Sequence, residues 1–159
     1  EPLISSENID LVIKPLLDSG DLSASTLMIA IHSWSEMLDP NICKVVVDNV
    51  GRALYFTRAP LPYNRDHGCM DKSKVDNEVG ANQMIFGYKH IGVYAYRKSF
   101  LLKFSNMKTS RLENTEKLEQ LRILENGYSI QVVETKQNSI GVDQPNDLDR
   151  IIKNMNGGQ

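Results

Sequence analysis

Apolar residues recur along this chain at two periods, and the switches between them mark out its elements. Ile9, Val12, Ile13, Leu16 and Leu17 fall at i, i+3, i+4, i+7 and i+8, which places them on one face of an α-helix. Ser5 or Ser6 can cap that helix and Gly20 can end it, so the spacing predicts a helix over 6–19. Pro15 lies inside and lacks the amide that bonds back one turn, so a kink or an early end is expected. Ser25 to Ile31 is a short apolar run suited to a buried strand. Lys44 to Asp48 and Ala53 to Thr57 are β-rich runs joined at Asp48-Asn49-Val50-Gly51, a hairpin pattern.

From 58 to 86 all periodicity is lost while Pro60, Pro62, Gly68 and many charges accumulate, which reads as a long loop. The strand pattern returns at Lys89 to Tyr96. Helices are expected near 98–105 and 112–125, the second with Leu112, Thr115, Leu118, Leu121, Arg122 and Leu124 on one face and Gly127 as its stop. Ile130 to Thr135 reads as a strand, and Pro145 to Met155 as a last helix with proline in the first turn, where its missing amide costs nothing. Alternating helices and short strands predict one layered α/β domain over 1–159, with a mostly parallel sheet interrupted by the hairpin. No internal repeat or second-domain linker breaks the pattern.

Charge and composition narrow the function classes. With 18 Lys and Arg against 20 Asp and Glu, the net charge is -2, which argues against a nucleic-acid partner. The longest apolar run, Leu27 to Ile31, is far short of the roughly 20 residues of a membrane span, so no membrane partner is expected. Cys43 and Cys69 are too few for a disulfide framework or a four-cysteine zinc site, and lack CxxC spacing; a reducing, cytoplasmic setting is the expectation. The chain starts Glu1-Pro2-Leu3 without Met, which reads as part of a longer protein.

Four groups of residues could carry chemistry. In the loop from Tyr55 to Asp66, Arg58 and Arg65 follow a strand exit and are spaced by Pro60 and Pro62. Guanidinium forks suit carboxylate or phosphate, and ligands of open α/β sheets bind at such exits; two ordinary surface arginines are the other reading. His90, Tyr94 and Tyr96 project from one face of a strand, either as a satisfied structural set or as a binding wall. Glu113, Glu116, Lys117, Glu119 and Arg122 have the spacing of a solvated, ion-paired helix face, although the adjacent Glu119-Gln120 pair can also read sugar hydroxyls. Asp143, just ahead of the Pro145 helix, is either an N-cap or a hard ligand for Mg2+. Phosphate-loop, dinucleotide, zincin and nucleophile-elbow motifs do not occur, so these residues alone do not assemble a complete nucleotide site.

Taken together, the segments resemble the CMP-Kdo synthetase (3-deoxy-manno-octulosonate cytidylyltransferase) family from Glu1 to about Ile152. The matching stretches are Glu1 to Ile4, Pro40 to Val46, Ala53 to Asp66, His90 to Arg97, Leu118 to Arg122, and Gly141-Val142-Asp143 with its helix. The resemblance implies a nucleotide-diphospho-sugar-transferase-like sandwich with a small inserted antiparallel sheet, of which the amino-terminal strands are missing here. It implies a cytoplasmic, Mg2+-dependent, homodimeric enzyme that uses CTP and Kdo to make the activated sugar of lipopolysaccharide assembly. Carried over by residue, Asp143 resembles the metal ligand, Glu119 and Gln120 the sugar-hydroxyl pair, and Arg58, Arg65, His90 and Tyr94 the sugar-side and phosphate-side contacts.

Three departures accompany that likeness. The family's CTP loop and one metal carboxylate would lie ahead of Glu1; Arg111 stands where the family usually has proline; and Pro15 interrupts the first helix. Two alternatives stay open from sequence: an enzyme for another 2-keto sugar acid, such as an amino-Kdo or a sialic-acid-like sugar, and a non-catalytic sugar-binding or dimerisation module.

Overall fold

In the computed structural model, which describes residues 4–65 and 85–138, helix α1 (Ser6–Asp18) begins at the serine cap that the pattern suggested. Ser5 Oγ accepts the amide of Asn8 at 3.1 Å. Pro15 neither ends nor truncates it. Proline removes one donor but keeps its carbonyl, which accepts the Ser19 amide at 3.1 Å. The carbonyls left over at the end of α1 are taken up by Arg97, whose Nη2 donates to Leu16 O and Ser19 O at 2.6 and 2.7 Å and whose Nε donates to Leu22 O at 2.8 Å. A cation there also meets the negative end of the helix dipole. Val12 and Leu16 are buried, while Ile9, Ile13 and Leu17 stay 42, 39 and 79% exposed, so only part of the apolar face is covered.

After α1 come β1 (Ala24–Ile31), α2 (Trp34–Leu38), β2 (Lys44–Val47), β3 (Ala53–Thr57), β4 (Gly87–Tyr96), α3 (Lys98–Ser105), α4 (Arg111–Glu116), α5 (Leu121–Glu125) and β5 (Ile130–Glu134). The strands form one mixed sheet in the order β3-β2-β4-β1-β5. The β2–β3 hairpin forms as expected, and it belongs to this sheet rather than to a separate small one. The expectation of a mostly parallel sheet does not hold among the described residues: β2–β3, β2–β4 and β1–β4 are antiparallel, and only β1–β5 is parallel. Helix–strand alternation implies parallel neighbours only when each connection returns the chain to the same end of the sheet. Here β4 enters between β1 and β2 in the opposite sense to both.

The sheet curls until its outer strands meet. Arg52 bridges Gln131, Val132 N donates to Gly51 O at 2.8 Å, and Gln131 Nε2 donates to Val50 O at 2.9 Å. Gly51 has φ +79°, and a Cβ there would lie 2.6 Å from Gln131 Nε2, so this contact needs glycine. A register shift between Thr26 and Leu27 leaves Gly92 and Val93 unmatched on β4, a bulge that turns two carbonyls toward β1. The main core joins Met28, Phe56, Phe100, Leu121 and Ile130, and a smaller one seats Val12 of α1 against Leu27 and Ile91.

The single helix expected over 112–125 is two short ones. Leu118, Gln120, Leu121 and Ile123 are all buried, a set that one helical face cannot present, and the chain breaks at Lys117 with φ 56°. The short α2 was not expected, since one turn with Met37 as its buried residue leaves no periodic trace. The helix read at Pro145–Met155, the tail and the loop from His67 to Gln83 lie outside the described residues. Among those described, no helix is long and apolar enough to cross a membrane.

Candidate functional site

His90 and Tyr94 meet on β4 as the strand period requires, with ring centroids 5.3 Å apart, and Tyr94 stacks on Tyr96 at 5.6 Å. Phe56 and His90 pack in a T-shaped contact with centroids 5.1 Å apart, and the His90 amide donates to Cys43 O at 2.8 Å. Burial pushes the His90 pKa down to about 4, so the imidazole is neutral near pH 7. Its Nε2 lies 2.9 Å from the hydroxyl of the buried Thr26. Burial likewise pushes the Tyr94 phenol up, so its proton is retained. That hydroxyl is buried with no hydrogen-bond partner among the described residues; Thr26 is near it but lacks the geometry of a bond. An orphaned donor beside a neutral histidine fits a wall that takes a polar ligand.

Arg58 is held more firmly than a free surface arginine. Its amide donates to Glu116 Oε2 at 3.0 Å, its Nε to Glu116 O at 2.9 Å, and its Nη1 to Pro40 O at 3.0 Å. Glu116 also accepts from the Thr57 hydroxyl at 2.7 Å. Burial raises the Glu116 pKa, but the bonds from Arg58, Thr57 and Tyr55 outweigh it and hold the carboxyl below its usual range. The turn carrying Pro40 is itself stapled by the fully buried Lys44, whose Nζ donates to Asp39 O and Ile42 O, both at 2.7 Å. Arg65 is exposed and is not drawn into this corner.

Glu119 and Gln120 part company across the break after α4. Gln120 is buried, with Nε2 3.8 Å from the thiol of Cys43, whereas the Glu119 side chain is 70% exposed and lies 3.7 Å from Arg122. Burial pushes the Cys43 pKa up to about 12, leaving a protonated, unreactive thiol. The expected solvated ion-pair face is instead a partly buried clasp: Arg122 binds Glu113 through two bonds of 2.8 and 2.6 Å, with Glu113 only 12% exposed. The structure therefore gathers His90, Tyr94, Gln120 and Arg58 around Cys43, with Glu119 near enough to raise the Tyr94 and Tyr96 pKa values further. Asp143 lies outside the described residues.

A cytidylyltransferase family model matches residues 1–135. This chain belongs to the cytidylyltransferase family. It is 46% identical over 155 residues to the 3-deoxy-manno-octulosonate cytidylyltransferase of Geotalea uraniireducens, covering 98% of this chain and 60% of that relative. It is 49% identical over 148 residues to the protein of the same name from Pelobacter propionicus, covering 93% of this chain and 56% of that relative. The solved structure of a CMP:2-keto-3-deoxy-manno-octonic acid synthetase complexed with CTP superposes with a TM-score of 0.82 at 33% identity, covering all of this chain and 59% of that one. The chain thus spans about 60% of the length of the curated relatives it matches.

Two residues of this candidate site, Thr26 and Lys44, were not singled out from sequence, and Glu116 was read only as part of a solvated helix face. Thr26 left a faint trace as a polar residue inside an apolar strand, and Lys44 as a cation opening a valine run. The role of Glu116 as an anchor left no trace, because its partners lie nearly sixty positions away. Among the described residues no group of three or more His, Cys, Asp or Glu side chains could hold a metal ion. The described residues do not by themselves make an Mg2+ cage.

Proposed function

We propose that this cytidylyltransferase makes CMP-Kdo. The anomeric hydroxyl of 3-deoxy-D-manno-octulosonate attacks the α-phosphorus of CTP; the new sugar O–P bond forms as the bond to the β-phosphate oxygen breaks, pyrophosphate leaves, and the hydroxyl proton is released to solvent. The product feeds lipopolysaccharide assembly. The observation that carries this reading is that relatives 46 and 49% identical over nearly the whole chain bear the same substrate name. The CTP bound to the similar solved structure supports the nucleotide.

In this reading Arg58 and Arg65 offset the charge of the phosphates and the sugar carboxylate, each guanidinium offering forked donors. His90, Tyr94, Glu119 and Gln120 orient the sugar hydroxyls, so that attack starts from a held geometry. Holding His90 neutral by burial avoids attracting the triphosphate to the sugar's place. Mg2+, with Asp143 as one ligand, would add phosphate neutralisation when bound. A cytoplasmic homodimer completes the proposal.

Pyrophosphate release from CTP by the complete product of the gene tests it, with Kdo, an amino-Kdo and N-acetylneuraminate offered in turn. Release with Kdo alone supports the reading. Release with another acid moves the substrate, and release with none of them refutes the function.

A further inference from the structure

The bulge on β4 places three groups around one hydroxyl. Thr26 Oγ1 lies 2.8 Å from Val93 O, 3.2 Å from Ile91 O and 2.9 Å from His90 Nε2. A hydroxyl has one hydrogen and two lone pairs, and a carbonyl oxygen can only accept. Were the hydrogen aimed at the imidazole, the lone pairs of the hydroxyl would face two carbonyl oxygens within 3.2 Å in a buried site, with nothing to offset the repulsion. The hydrogen therefore points to the carbonyls, chiefly Val93 at the shorter distance, and Nε2 must carry the proton that bridges it to Thr26.

We propose that Thr26 is a positioning residue that holds His90 as the Nε2–H tautomer, leaving Nδ1 as an acceptor for a hydroxyl of the sugar substrate. The tautomer stands on geometry alone; the sugar hydroxyl rests on the function proposed above. The rings of Phe56 and Tyr94 restrict the imidazole plane, so the orientation is set as well as the proton. Burial keeps the ring uncharged near pH 7, which preserves a lone pair to offer. One consequence is chemical selectivity: an Nδ1 acceptor takes a donor such as a hydroxyl and repels a carboxylate or phosphate oxygen, so the anionic parts of the substrates fall to the arginines. The orphaned Tyr94 hydroxyl beside it supplies the complementary donor.

The test uses the complete protein labelled with 15N at histidine, the His90 signals being assigned by their loss in His90→Gln. Wild type is expected to show a pyrrole-like Nε2 and a pyridine-like Nδ1; the reverse pattern overturns the proposal. Thr26→Val, which keeps the shape and deletes the hydroxyl, is expected to mix the tautomers and raise KM for Kdo about tenfold with KM for CTP unchanged, the size of one lost hydrogen bond. Thr26→Ser is expected to restore both. A shifted tautomer with unchanged KM for Kdo overturns the acceptor role. Should Thr26→Val not fold, the wild-type and Thr26→Ser signals still decide the tautomer. Failure of wild type to turn over CTP and Kdo would remove the substrate assignment, while the nitrogen signals would continue to decide the tautomer.

Discussion

The wall built by β4 and the corner built around Arg58 hold polar groups by opposite means. His90 and Tyr94 are neutral, aligned by strand register and backed by Thr26 on the adjacent strand. Arg58 is charged and sits beyond the end of β3, aligned by Glu116 and by a turn that Lys44 staples. Register is a cooperative property of a whole ladder, so which side chains the wall presents does not depend on any one side chain. The corner depends on a few long-range bonds to one carboxylate, so a single substitution there has wide consequences.

The sharpest separation of the two is their response to acid. The folded pKa of His90 is lowered to about 4, below the 6.5 of a free imidazole, so its contribution to stability is complete above 6.5 and is lost as the pH falls toward 4. At 1.36 kcal/mol per unit the loss reaches about 3 kcal/mol. Glu113, held low by its Arg122 bonds, and Glu116 have folded pKa values below 4.5, so their contributions are present above 4.5 and disappear only at more acidic pH. Urea titrations from pH 7 to 3 are expected to show two windows. His90→Gln should flatten the upper one and Glu116→Gln the lower; a single shared window would show that wall and corner do not act separately.

Next in size is Glu116→Ala, expected to cost about 2 kcal/mol by stranding the Thr57 hydroxyl and the Arg58 amide. The His90 nitrogen signals should not change, and a shift in them would couple the two regions. Arg58→Ala should cost about 1 kcal/mol through its two carbonyl bonds as well as raise KM for CTP or Kdo. Smallest in stability is Arg65→Ala, expected to change it by less than about 0.5 kcal/mol as an exposed residue, while weakening substrate binding. Unchanged Michaelis constants for both substrates would remove Arg65 from the site.

Much of the fold was legible because it follows local periods. The boundaries of α1, β1, the hairpin, β4, α3 and β5 all fall within two residues of their expected positions. The same logic failed at 112–125, where spacing suggested one helix and burial of Leu118, Gln120 and Leu121 required a break at Lys117. That break turned a seemingly solvated charge face into the Glu113–Arg122 clasp and the Glu116 hub. For the site, the pairing of His90 with Tyr94 could be read from their spacing of four, but the burial that neutralises His90 could not.

By itself, then, the sequence determined where helices and strands lie, which residues share a strand face, and which family the segments resemble, since each depends on neighbours within a few positions or on a linear motif. Only the tertiary structure decided that β4 runs antiparallel between β1 and β2, that Arg58 answers to Glu116, and that Thr26 faces His90. Those are contacts between residues about sixty positions apart. Nothing in local spacing encodes them, because they arise only when burial of the shared core brings distant strands into register.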